Sequence, residues 1–247
     1  MQNVDEVLVF DIWGDYGRFR RGYTSTSTLT YPFPTRTALA GMVSAMLGLP
    51  RDSYYELFAE ENSAFALQIL NPIKKIRITQ NLIDTKYGRT PWEIQRKKQP
   101  PRTQVPFEFL KDSRYRIYIW MEEKFKGLIG MIKEHKSFYT PYLGISECIA
   151  NFEYIGIYDV EPKNTDGDAV KISSTIKNSE NITIELEKGK KYGKIRIPGF
   201  MNNKRIVKGF LGMIYEEDGE TIKICKGEYY KVKGLKKEGE NVNIIFF

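Results

Sequence analysis

The 247-residue chain is 41 % hydrophobic, contains 16 Tyr and 14 Phe and carries a net charge of +7, a globular composition that leaves one large domain or a medium one with an appendage. No apolar run approaches the roughly 18 residues of a membrane helix, and no basic stretch precedes the short apolar segment of MQNVDEVLVF, so neither a membrane nor secretion is expected and the reading is cytoplasmic. Two cysteines outside any CxxC or Cys/His setting and a single histidine argue against a zinc site, a disulfide framework or a conventional triad, and no metal or cofactor is expected.

EVLVFDIWG alternates as a strand, with Val7, Val9 and Ile12 marking its core side. The basic stretch GRFRRGYTSTST follows. YPFPTRTALAGMVSAMLGLP then gives a helix with Leu39, Met42, Val43, Met46 and Leu47 on one stripe, Thr35 or Thr37 as N-cap and Gly48 as its stop. Gly41 in mid-helix costs about 1 kcal/mol against Ala, which close backbone packing would explain.

SAFALQIL (63–70) and KKIRITQNLI (74–83) read as two strands joined as a hairpin through Asn71-Pro72. GRTPWEIQRKKQPPRTQVP (88–106) has four prolines, five basic residues and one acid, and is expected as a long irregular excursion. SRYRIYIWME is a strand with Tyr115, Ile117 and Ile119 opposite Arg114, Arg116, Tyr118 and Trp120. KFKGLIGMIKEH is helical and ECIANFEYIGIYDV a further strand. The order β, α, β, β, loop, β, α, β approximates a ferredoxin-like or RNA-recognition-motif unit with a decorated centre. The polar stretch EPKNTDGDA (161–169) suggests a boundary between a 1–160 domain and a β-rich appendage over 161–247, in which Asp218-Gly219 signals a hairpin. The fold class expected is therefore α+β.

Charge is unevenly placed. Residues 1–86 balance nine basic against nine acidic groups, residues 87–140 carry twelve against six, and residues 141–247 seventeen against sixteen. A localised surplus is the usual footprint of a polyanion partner, although basic faces are often only solvated surface.

Two regions invite a functional reading. Arg18, Arg20, Arg21 and Arg36 surround the start of a helix that has no acid in its first turn, where guanidinium groups, hydroxyls and the helix dipole all suit phosphate. The plain alternative is a polar edge strand with solvated arginines. In the central excursion Trp92, Arg96, Lys97, Lys98 and Arg102 combine an aromatic plate with cations, as single-stranded nucleic acid binding requires, with stacking worth about 1–3 kcal/mol per base. A flexible charged loop is the alternative there. KGFLGMIY (208–215) is similar to the RNA-recognition consensus but departs from it at Leu211 and Gly212, and an ordinary strand is expected. His135 reads first as a residue closing its helix. With Lys136 and Tyr139 it could also act as a base on an RNA 2′-hydroxyl. No phosphate-binding glycine motif of the nucleotide hydrolases is present.

The stretches LVFDIWGDYGRFRRGYTSTSTLTYPFPTRTALAGMVSAMLGL and YTPYLGISECIANFEYIG together resemble the fifth family of CRISPR-associated proteins, a repeat-associated (RAMP) subunit of Cascade-type, type I effector complexes, over residues 1–160. The resemblance implies a ferredoxin-like or RNA-recognition-motif palm with an inserted basic thumb at about residues 86–110. It implies a non-catalytic subunit that holds the 5′ handle of the CRISPR RNA, caps the filament of seventh-family backbone subunits, and contacts the large subunit and through it target DNA. Arg18, Arg20, Arg21, Arg36 and Lys86 would grip phosphates, and the thumb from Trp92 to Arg102 would wedge bases. One branch of the family is instead a metal-independent endoribonuclease that processes precursor repeat RNA with a tyrosine, lysine and histidine set. For that alternative the residues available here are His135, Lys136 and Tyr139.

Overall fold

The computed structural model describes residues 4–22, 28–83, 102–237 and 240–247. In chain order the elements are β1 (Glu6–Gly17), α1 (Arg36–Leu47), β2 (Ser63–Ile69), β3 (Lys74–Ile83), β4 (Arg102–Met121), α2 (Phe125–Lys133), β5 (Asn151–Ile172), β6 (Ile176–Lys177), β7 (Thr183–Glu185), β8 (Tyr192–Pro198), β9 (Phe210–Glu216), β10 (Ile222–Lys237) and β11 (Glu240–Ile244). The main sheet has the order β11-β10-β5-β1-β4-β2, with β3 added on β4 and β7 on β10, while β6, β9 and β8 form a three-stranded sheet. All of these pairings are antiparallel, so the chain is an α+β protein with few helices.

β1 is central because both of its faces are apolar. Side chains alternate along a strand, so Leu8, Phe10 and Ile12 enter the cluster formed with Leu39, Val43 and Met46 of α1 and Leu128 and Ile132 of α2. Val7 and Val9 face the other way, into a cluster with Tyr118, Val232, Val242 and Ile244. The expected grouping of Val7, Val9 and Ile12 on one side is thus split by the two-residue period. Each such fully buried aliphatic side chain contributes about 1.5–3 kcal/mol over its exposed state. The region beyond residue 160 is no loose addition, since β10 and β11 supply Val232, Leu235, Val242 and Ile244 to this second cluster.

Several expected features take a different form. β2 and β3 do not pair with each other: β2 lies along Tyr115–Met121 of β4 and β3 along Arg102–Lys111 of the same strand. Asn71-Pro72 therefore bends the chain along one flank of β4 instead of reversing it. β4 starts at Arg102, inside the stretch expected to be irregular, and includes Pro106, which pairs with Thr79 of β3. Proline fits there because β1 meets β4 only from Leu110 onward, leaving one side of the strand without a ladder. The polar stretch 161–169 lies within β5, which pairs with β10 on both sides of it, so the sheet runs through the expected division. Asp218-Gly219 forms a tight turn with Gly219 at φ 82°, yet β9 and β10 belong to different sheets. The turn is held by the buried Glu216 carboxylate, which accepts from Asp218 N (2.9 Å) and Glu220 N (2.8 Å). KGFLGMIY supplies β9, the ordinary strand expected of it.

Candidate nucleic-acid interface

Helix α1 begins as its sequence dictates. Thr35 is the N-cap, its Oγ1 accepting from Ala38 N at 3.2 Å, and the first turn holds no acid. Gly48 ends the helix at φ 71°. Arg36, the first helical residue, does not reach into solvent: it is 2 % exposed and the largest of the fully buried side chains. Its Nη2 donates to Ser63 O and Ser63 Oγ, both at 3.0 Å, and weakly to Ala59 O at 3.4 Å. The guanidinium lies between the rings of Phe200, 4.4 Å from its carbon, and Phe65, 5.2 Å away. Nε and Nη1 have no hydrogen-bond partner among the described residues.

Arg36 thus keeps a positive charge inside the protein with no carboxylate in contact among the described residues. Burial pushes its pKa down to about 10, with the more distant Glu60 opposing the shift, so it remains a cation at neutral pH. Isolated buried ions cost several kcal/mol even after relaxation, and two donor groups left unmade add to that.

Arg36 is among the residues that line two cavities. One, of about 280 Å³, opens at the start of α1, with Thr35, Thr37 and Arg20 on its polar side and Phe19, Tyr31, Tyr54, Phe58 and Phe200 as aromatic walls. Its far wall is the β8–β9 connection, Pro198 to Met201. The other, of about 570 Å³, lies between Ser63, Lys177, Lys226, Tyr230 and Phe246. Glu60 closes part of its rim by pairing with Lys177 at 3.3 Å.

The other expected arginines are divided. Arg18 is buried at 8 % exposure, its guanidinium 4.3 Å from the Phe107 ring centre. Burial, reinforced by the neighbouring Arg20 charge, lowers its pKa. Arg20 is exposed at the cavity mouth. Arg21 is half-buried, its Nε donating to Thr30 O at 2.9 Å. A surface grip by all four arginines is therefore not what the fold presents: Arg20 faces solvent, Arg21 is partly covered, and Arg18 and Arg36 are packed on aromatic rings.

Arg102 is exposed at the start of β4, opposite Ile83 of β3. Lys86, Trp92, Arg96, Lys97 and Lys98 lie outside the described residues. His135 follows α2 with φ 52° and stacks on Phe152 with ring centres 4.7 Å apart. Lys136 Nζ is held by Glu134 at 2.6 Å, and exposed Tyr139 stands edge-on to Phe138. These three are neighbours in sequence, and each has its own separate contact. Among the described residues no cluster of His, Cys, Asp or Glu could hold a metal, and no helix is long and apolar enough to cross a membrane.

What sequence reading missed is the partner wall. Phe200 and Met201 are remote from Arg36 in the chain, and nothing local to IPGFMNN marks them as facing α1. Ser63, which receives the guanidinium, is equally silent as the first residue of a strand.

The fold is similar to that of known proteins. A CRISPR protein from Archaeoglobus fulgidus aligns over 97 % of this chain and 98 % of its own, with 15 % identity and a TM-score of 0.51. A chain of a CRISPR RNA-guided surveillance complex aligns over 88 % of this chain and 91 % of its own, with 12 % identity and a TM-score of 0.52. At such identities the likeness concerns the fold alone. No curated protein matches the chain. The family model described as CRISPR-associated protein (Cas_Cas5) matches residues 7–198, a span that runs from β1 through α1 to the end of β8. The chain belongs to this fifth family of CRISPR-associated proteins.

Proposed function

We propose that the protein is a non-catalytic RNA-binding subunit of a type I CRISPR interference complex, holding the 5′ handle of the CRISPR RNA and capping the filament of backbone subunits. The observation that carries this is the cavity at the start of α1. A buried cation close to the cavity, a helix N-terminus free of acids and a set of aromatic walls together suit a nucleotide, whose base packs on rings beside the positive charge of Arg36. Arg20 at the mouth would take an adjoining phosphate. Membership of the family and the likeness to a chain of an RNA-guided surveillance complex support the same reading.

The strand order β5-β1-β4-β2, with α1 and α2 between its strands, supports our reading of a ferredoxin-like palm, and the thumb expected at about residues 86–110 falls largely outside the described residues. Backbone and large subunits are the expected protein partners. Binding is preferred to cutting because His135 is engaged with Phe152 and Lys136 with Glu134, not with each other.

The test is to incubate the protein with 5′-labelled repeat RNA in EDTA and run one sample on native and denaturing gels. Retarded, intact RNA is the expected result. A discrete cut that disappears in His135→Ala would overturn the proposal and identify a processing nuclease.

A further inference from the structure

The segment from Lys188 to Lys208 contains eight basic residues and no acidic one, and the remaining 226 residues carry 30 basic against 31 acidic. Beside the central stretch 87–140, with its twelve basic against six acidic residues, the β8–β9 hairpin and its approach are therefore a second concentration of positive charge. Acids elsewhere in residues 141–247 offset it, so that part of the chain is nearly neutral as a whole.

Strand geometry decides where these charges point. Along β8, Ile195 and Ile197 turn toward the main core, which sends Lys194 and Arg196 to the other face, where both are exposed. β8 is an edge of its sheet. Across the hairpin Phe210 pairs with Pro198 and its ring lies 4.6 Å from the Arg196 guanidinium. Not all eight cations are available. Lys190 is held by Glu187 and Glu220, Lys191 by Asp218 and Arg205 by Asp52. Lys188, Lys194, Arg196, Lys204 and Lys208 are exposed and make no ion pair among the described residues.

We infer that this hairpin face is a second nucleic-acid surface, one that holds a duplex by its phosphate backbone without reading bases. The inference goes beyond the RNA-holding role proposed for the α1 cavity and does not depend on it. Single strands are held in grooves with free aromatic platforms, whereas here the exposed ring of the hairpin, Phe210, already carries a guanidinium on its face. Exposed cations without acidic partners, Lys194 and Arg196 side by side on one strand face among them, instead suit a partner of high charge density. Duplex DNA presents one phosphate charge per about 1.7 Å of its axis, twice that of either of its strands.

The experiment measures binding of the full-length protein to a DNA duplex of arbitrary sequence, an RNA duplex and single-stranded repeat RNA, over a series of salt concentrations. The Lys194→Ala/Arg196→Ala/Lys208→Ala variant is compared with the parent and with Arg20→Ala. All three altered hairpin positions are exposed, and a matching thermal unfolding midpoint verifies the fold. The variant is expected to lose at least tenfold in duplex affinity, with a salt slope shallower by about 2.7, at about 0.9 for each phosphate contact. Its single-strand affinity should be unchanged, and Arg20→Ala should show the reverse. Equal loss on the DNA and RNA duplexes is the expected pattern for backbone recognition. Absence of duplex binding by the parent, or loss confined to the single strand, would overturn the inference. Failure of the repeat RNA alone to bind would instead count against the proposed function and leave the hairpin surface standing.

Discussion

The Arg36 guanidinium lies 4.4 Å from the centre of the Phe200 ring, which brings the first residue of α1 into contact with the β8–β9 connection. A cation stacked on an aromatic ring in a desolvated setting gains about 2 kcal/mol, less than the cost of burying the charge. The balance is unfavourable for the free protein, and this is the basis of the first prediction.

Replacing Arg36 with Met should make the protein more stable and a poorer RNA binder. Apolar replacement of buried ionic groups is often neutral or stabilising, by up to about 4 kcal/mol for ion pairs, while the cavity loses the positive charge beside the nucleotide. Urea unfolding and RNA titration of Arg36→Met check the two signs. A loss of stability would mean that the charge is already satisfied within the fold.

Stability at alkaline pH should reveal Arg36 against the tyrosines. Its pKa falls on folding from the ordinary arginine value to about 10, so the unfolded chain binds that proton more tightly and this contribution to stability rises with pH above about 10. Burial raises Tyr115 and Tyr118 above their ordinary 10.0. Their contribution is whole below that value and is lost as the unfolded chain ionises first. The two tyrosines outweigh the arginine, so urea midpoints should decline above about pH 10, and more steeply in Arg36→Met.

Arg20→Ala should weaken RNA binding without touching stability, because the side chain is exposed at the cavity mouth. The slope of log affinity against log salt should become shallower by about 0.7 for one phosphate contact on a single strand. The unfolding free energy should move by no more than about 0.5 kcal/mol. An unchanged slope would remove Arg20 from the RNA path.

Gly144→Ala should be strongly destabilising. Gly144 has φ 91°, and a Cβ there would collide with the Arg18 carbonyl, against which the 142–144 segment is pinned by Arg18 N donating to Leu143 O at 2.8 Å. Backbone strain and displacement together cost about 2–4 kcal/mol, readable as a lowered thermal midpoint.

Asp11→Ala should cost about 3–5 kcal/mol. The carboxylate is 1 % exposed and accepts from Arg116 Nε at 2.7 Å, Arg116 Nη2 at 3.1 Å and Arg114 Nη2 at 3.0 Å. Arg114 keeps Glu153, but Arg116 would be stranded. Arg116→Ala added to Asp11→Ala should recover part of the loss in a double-mutant cycle.

Local signals explain what could be read from the residues in order. Thr35, Gly48 and the stripe from Leu39 to Leu47 specify α1 within a single turn of each residue, and the alternation of Tyr115, Ile117 and Ile119 specifies the core half of β4. Partner choice is not local. Asn71-Pro72 announces a change of direction but not that both neighbouring strands lie on β4, whose first half carries a proline and charges that resemble a loop. The site was half legible for the same reason. The arginines near α1 were visible as a cluster, whereas the inward turn of Arg36 depends on Ser63, Phe65 and Phe200, residues whose own neighbourhoods give no hint of a cation.

The second face of β1 has a consequence for synthesis. Val7, Val9 and Tyr118 are covered by Val232, Val242 and Ile244, so during translation the central sheet must wait, one side bare, until β10 and β11 leave the ribosome. A nascent chain stalled near residue 160 would display that apolar face to its neighbours, and such surfaces drive aggregation. Co-expressing the 161–247 segment with a 1–160 fragment should therefore rescue the fragment's solubility, making the two pieces halves of one folding unit.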